Sequence, residues 1–399
     1  MGDFGVHLVC DVWDLLDEGI DEVLDRALGE LGVTGVSVPV ICPPASRLRC
    51  HSGVSPRWLR SGGGAFFHPK DGENSATSCR PVTDGGLKSS DPLARVADAC
   101  RARHLECRAV IYVATAGQVA VRHPHTAAKS ALGDAWAGRI CLVNPDVQAM
   151  LAAVCADLTS NFDLCGVALA EVHVGRTEQV AEDLTLPFDL GVAGRALLSM
   201  CFCESCRQLR LDDAPDGLDA AAAARSAQVR LEKILETGKP LSGAVAGLFE
   251  EDAVLRSFAA AQWASVGRAV QAASHACRGR LTLLTYADAV PCRGEWPWAG
   301  IASAPAVGAV ARLSQDGDDA TRVQQVAQAG DGVRSEVWLR MDDWVGAADG
   351  VADSSTLVRR LTALAESGVA RVTLDGYGSL PRSAMAGVKQ AIRFARRSV

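Results

Sequence analysis

The chain has 399 residues, 48% of them hydrophobic, which suits one large barrel or two domains and exceeds a small module. A net charge of -7 argues against a nucleic-acid or anionic-membrane partner. No apolar run reaches the roughly 18 residues of a membrane helix, and Met1-Gly-Asp-Phe-Gly lacks the features of a signal peptide, so a cytoplasmic protein is expected.

Short β-type runs alternate with amphipathic helical segments. Strands are predicted at Val6–Cys10 and Gly35–Cys42, with a helix at Asp17–Leu31 between them. A polar loop from Ala45 to Ser90 follows, carrying His68 beside Phe66, Phe67 and Pro69. A helix at Asp91–His104 leads to a strand at Cys107–Ala114. Asn144 and Pro145 open a helix running to Asn161, as cap and first residue. The fourth strand is Gly166–Val174. From Cys206 to Arg278 the pattern is helical. Strands return at Arg280–Ala287, Gly300–Ala304, Ser335–Met341 and Val369–Asp375, with helices at Val307–Ser314, Ser355–Ser367 and Arg382–Arg397. Eight strands, apolar on both faces and alternating with helices, imply an α/β fold of the (β/α)8 TIM-barrel type. The expectation is a single barrel over 1–399, with residues 207–278 as a helical elaboration after strand four. A doubly wound open sheet is the alternative, but no G-x-G-x-x-G follows the first strand.

Fourteen cysteines are many for a cytosolic chain. Cys10, Cys42, Cys107, Cys155 and Cys165 sit in apolar runs and act there as small hydrophobes. Cys201, Cys203 and Cys206 differ. Their C-x-C-x2-C spacing lets three thiolates enter one tetrahedral zinc site, whose fourth ligand must come from elsewhere.

A barrel places functional side chains at the C-terminal ends of its strands. Asp11 and Trp13 follow strand one, His68 follows strand two, and Glu171 and His173 close strand four. Tyr286 and Asp288, then Asp342 and Asp343, then Asp375 and Tyr377 follow the later strands.

Ile140-Cys141-Leu142-Val143-Asn144-Pro145-Asp146, the strand Phe162–His173 and Cys201-Phe-Cys-Glu-Ser-Cys206 occur in an order that resembles the β-galactosidases of glycoside hydrolase family 42. A set of uncharacterised glycosidase-like bacterial barrels, sharing Cys-Phe-Cys-x-x-Cys, is more similar still. The resemblance covers roughly residues 60 to 300. It implies Cys141 as the fourth ligand of a closed, structural zinc site, with Cys155 and Cys165 as fallbacks. It also implies carboxylate acid/base chemistry on a carbohydrate or glycoside. Glu171 then matches the acid/base, with Ala170 where those enzymes have Asn. Asp342 or Asp343 matches the second carboxylate by position, where the family has Glu. His173, two residues past Glu171 on one strand face, is a further catalytic candidate. Asp11, Trp13, His68, Tyr286, Asp288 and Tyr377 are candidate substrate contacts. The two departures keep open a lyase, epimerase or isomerase on a sugar-like or natural-product substrate, or a non-catalytic barrel that binds carbohydrate.

Overall fold

The computed structural model describes residues 4–51, 53, 58–70, 77–87, 91–177, 180, 184–186, 188–209, 219–278, 280–286, 307–312, 336–341 and 354–399. β1 (Gly5–Val9) leads into α1 (Val12–Glu18) and α2 (Ile20–Arg26). The expected helix over Asp17–Leu31 is therefore broken. Gly19, at φ 104, turns the chain between two short helices, and Ala27–Leu31 winds as a π turn.

β2 (Gly35–Cys42) comes next, then a hairpin of β3 (Ala45–Leu48) and β4 (Trp58–Ser61) inside the predicted loop, and β5 (Gly64–Ala65). α3 (Pro92–Ala102) starts at Asp91, whose carboxylate accepts from the amides of Leu93 at 3.0 Å and Ala94 at 3.4 Å. β6 (Glu106–Tyr112) and α4 (Gly117–Arg122) precede an antiparallel ribbon of β7 (Ala127–Lys129) and β8 (Ala135–Ile140). α5 (Pro145–Asn161) is capped by Asn144, as its sequence predicts.

β9 (Gly166–Ala170) is followed by α6 (Gly191–Ser199), α7 (Glu204–Arg207), α8 (Ala220–Thr237), α9 (Val245–Glu251) and α10 (Ala253–Ala276). The helical reading of the stretch after Cys206 holds for these described residues. α10 packs along α5. β10 (Leu281–Tyr286), β11 (Val307–Arg312), β12 (Glu336–Arg340), α11 (Ser354–Glu366), β13 (Arg371–Asp375) and α12 (Arg382–Arg397) complete the described elements. Among the described residues no helix is long and apolar enough to cross a membrane.

β1, β2, β6, β9, β10, β11, β12 and β13 pair in that order, all parallel, and β13 pairs back onto β1. The eight strands thus close a ring, with the described helices between them as in (β/α)8 folds. One expectation fails here. The sequence predicts a helix at Val307–Ser314, and its described part, Val307–Arg312, is instead the sixth strand of the ring. Val-Gly-Ala-Val-Ala-Arg carries a helix-favouring alanine content, but its backbone pairs with β10 and β12 on both sides. Non-local pairing overrides local propensity. The strand predicted at Gly300–Ala304 lies outside the described residues.

Alternation along the strands sorts the barrel interior into layers. The middle layer is apolar: Val9, Val110, Ala168, Leu284 and Trp338 cluster together with Ala170. Two residues earlier on the strands lies a polar layer of His7, Ser37, Arg108, Glu336 and Thr373, all buried. Arg108 reaches both oxygens of Glu336, Nη2 to Oε1 at 2.6 Å and Nη1 to Oε2 at 2.7 Å. It also donates to Ser37 and Thr373. A bidentate pair backed by further hydrogen bonds is the form in which buried charge is tolerated. His7 Nε2 lies 2.8 Å from Glu106 Oε2, and Nδ1 lies 3.2 Å from Ser37 Oγ. Gly35 leaves room for that ring, since a Cβ there would come within 2.6 Å of His7 Nε2.

This layer makes stability acid-sensitive. Burial pushes His7 down to about 4 despite the Glu106 carboxylate beside it, so the imidazole is neutral in the fold. Burial works to raise Glu336, but Arg108 prevails and brings it to about 2. The His7 contribution is therefore fully present above the unfolded value near 6.5 and is lost as pH falls from there through about 4. The Glu336 contribution follows, lost between the ordinary carboxylate range near 4.5 and about 2. Melting temperature measured against pH should begin to fall below about 6.5, and His7→Gln should remove that first decline, worth roughly 3 kcal/mol. A profile flat down to pH 4.5 in the wild type would contradict it.

Candidate functional site

Two sets of side chains lie at the C-terminal side of the ring. The first is the cysteine cluster. Cys141 follows β8, and its amide bonds the Thr126 carbonyl at 2.8 Å. Cys201 and Phe202 run beside β7. The Phe202 amide bonds the Lys129 carbonyl at 2.7 Å, and the Lys129 amide lies 3.4 Å from Cys201 Sγ. Phe202 stacks on Phe258 of α10, centroids 4.9 Å apart. The loop after the fourth barrel strand is thereby fastened to the ribbon after the third.

This geometry brings Cys141, Cys201, Cys203 and Cys206 together, all buried, with their sulfurs within 4.8 Å of one another. Cys141 and Cys206 sulfurs are 3.5 Å apart. A tetrahedral ion with ~2.3 Å metal–sulfur bonds needs sulfurs about 3.8 Å apart, so the donor set fits a metal ion. The thiols compete electrostatically. Hydrogen bonds with Cys141, Cys201 and Cys206 pull Cys203 below an ordinary thiol, while contacts with Cys201 and Cys203 push Cys141 up and those with Cys141, Cys201 and Cys203 push Cys206 up. A cation would allow all four to be thiolates at once. Cys155 and Cys165, the fallback ligands, lie outside the cluster.

One residue of this shell carried no sequence signal. Gln262, on α10 and fully buried, donates from Nε2 to the Cys201 carbonyl at 2.6 Å and toward Cys206 Sγ at 3.3 Å. It sits mid-helix among alanines, where nothing in the pattern marks it.

The second set is the rim of the barrel mouth. Asp11, just past β1, accepts a 2.6 Å hydrogen bond from Arg47 Nη1. Burial raises the Asp11 carboxyl, Arg47 lowers it, and Asp375 at the end of β13 raises it again, leaving it above the usual range. Asp14, buried one turn on, is pushed up to about 8 by burial and by Asp11 and Glu18. Arg47 comes from the β3–β4 hairpin, which the sequence did not separate from its loop. Trp13 packs edge-on against Phe66 at 4.2 Å. His68 is partly buried, with its amide bonded to Asp91 at 3.1 Å. Tyr377 is 1% exposed and donates its hydroxyl to Glu18 at 3.0 Å, so it is packed beneath the rim. Tyr286 ends β10, and its side chain lies outside the description, as do Asp288, Asp342 and Asp343.

Glu171 follows directly on β9 and is 8% exposed. Its φ is 62, a left-handed backbone that non-glycine residues rarely adopt. Ala168 and Ala170 face the barrel interior. Simple alternation would send Glu171 outward, and the positive φ departs from the extended backbone on which that alternation depends. The Thr115 hydroxyl, just past the third barrel strand, donates to Glu171 Oε2.

His173 departs from expectation. β9 stops at Ala170, so Glu171 and His173 do not share a strand face. His173 instead lines a small pocket with Arg139, Cys141, Ser199, Cys201 and Gln262, on the side of the cysteine cluster. Burial, then Arg176 and Arg139, hold it neutral. Neither ring nitrogen has a partner among the described residues.

The sequence matches no protein-family model and no curated protein. The fold does match solved structures. The catalytic domain of a β-amylase from Paenibacillus polymyxa superimposes with a TM-score of 0.54 at 12% identity, over 100% of this chain and 99% of that one. A β-galactosidase from the psychrophilic Marinomonas ef1 gives 0.52 at 10% identity, over 98% of this chain and 59% of that one. α-L-Fucosidase isoenzyme 2 from Paenibacillus thiaminolyticus gives 0.50 at 12% identity, over 98% and 49%. The likeness is one of fold. The chain spans about half the length of the fucosidase and the whole of the amylase domain.

Proposed function

We propose that this chain is a glycoside hydrolase-like enzyme that acts on a carbohydrate or glycoside, with Glu171 as acid/base and a structural zinc in the four-cysteine cluster. The observation that carries the reading is Glu171 itself: a nearly buried glutamate in strained, left-handed backbone at the C-terminal end of a barrel strand. Strain of this kind collects at functional sites because the surrounding structure must hold it. The glycoside hydrolase folds of the neighbours support it. Asp342 and Asp343 remain the proposed second carboxylate, and Asp11 and Asp375 lie ready at the rim. Asp11, Trp13 and His68 are the proposed contacts to substrate among the described residues. Four thiolates leave no open position, so the metal would hold the rim and would not activate water. A panel of aryl glycosides assayed with wild type and Glu171→Gln tests the reading. Release of an aryl group by the wild type and not the variant supports it, and equal release by both removes it.

The same reading treats residues 207–278 as an elaboration of one barrel. Limited proteolysis should then give no stable fragment bounded by that region. Recovery of a folded helical fragment would indicate a separate domain.

A further inference from the structure

The wall that holds Glu171 comes from the neighbouring strand. The Val113 amide donates to the Ala170 carbonyl at 2.9 Å, so the chain beyond β6 continues alongside the end of β9. Two residues on, Thr115 Oγ1 donates to Glu171 Oε2. A hydroxyl has a single proton to give, and here it goes to the carboxylate. The backbone at residue 171 is left-handed, and the Thr115 hydrogen bond is one tie on the carboxylate that it carries.

We propose that Thr115 is a positioning residue for Glu171, fixing the carboxylate and reserving Oε2 as an acceptor. The inference rests on the acid/base reading of Glu171 and adds the group that orients it. A threonine in a loop carries no such mark in the sequence, and only the folded pairing of β6 with β9 brings the two together.

The test does not need a known substrate. The protonated carboxyl of Glu171 is followed by infrared difference spectroscopy against pH, assigned as the band absent from Glu171→Gln. In Thr115→Val the carboxylate loses a donor of the kind that stabilises its charged form. Its titration midpoint should rise by about one pH unit, tenfold in the dissociation constant. Thr115→Ser keeps the hydroxyl and should return the midpoint to the wild-type value. Should Thr115→Val not fold, Thr115→Ala carries the same comparison. A midpoint unmoved in the hydroxyl-free variant, or moved equally in Thr115→Ser, overturns the role of Thr115. That failure differs from failure of the underlying reading, which is marked by full aryl-glycoside turnover in Glu171→Gln.

Discussion

Cys203→Ser is expected to strip the protein of its metal and lower its melting temperature by about 10 °C, a loss of roughly 5 kcal/mol. The cause is local and specific. Cys203 is one of four sulfurs that lie within 4.8 Å of one another, so its loss leaves a tetrahedral cation with only three of its donors. Without it, three thiols remain buried with no charge to organise them. The Cys201–Cys206 loop then loses its tie to β7, and Phe202 loses its fixed position on Phe258. Metal-binding free energy in a site of this kind is folding free energy. Elemental analysis of freshly reduced protein should give about one zinc per chain in wild type and none in Cys203→Ser. Cys155→Ser is the control: that cysteine is equally buried but outside the cluster, so its variant should keep the metal. Wild-type protein free of metal, or a Cys203→Ser variant melting like wild type, would remove the metal site.

The barrel was legible because its strands are buried on both faces and written as continuous apolar runs, such as Gly35–Cys42, buried at every position. The cysteine cluster was legible because C-x-C-x2-C has few other physical uses. What the sequence concealed has physical causes too. Val307–Arg312 reads as helix because alanine and glycine say little, and only its neighbours on both edges make it a strand. The β7–β8 ribbon, Arg47 and Thr115 lie in polar connections whose geometry is set by distant contacts. The pairing of Glu171 with His173 failed for a further reason. Period-two reasoning assumes extended backbone, and φ 62 at Glu171 ends the period at the position that mattered. A left-handed glutamate has no signature in residue order, since that conformation is usually the province of glycine.

Glu171→Gln is expected to fold normally and to lose turnover by roughly a hundredfold or more, the range for a lost general acid/base. Glutamine keeps the volume and can still accept from Thr115 through its amide oxygen, so the left-handed turn keeps its anchor. What it removes is the titrating proton. Melting temperature should therefore move little while kcat/KM falls, and this separation distinguishes a chemical role from a structural one. The dependence on leaving group sharpens the test. An aryl group that departs readily needs little help from an acid, so the variant should lose least on activated aryl glycosides and most on alkyl ones. A uniform loss across leaving groups would mean that Glu171 binds substrate without transferring a proton. Unchanged turnover on every glycoside that the wild type cleaves would sink the assignment. The chemistry would then pass to Asp11 and Asp375, the carboxylates whose mutual repulsion and burial already lift one of them above its ordinary range.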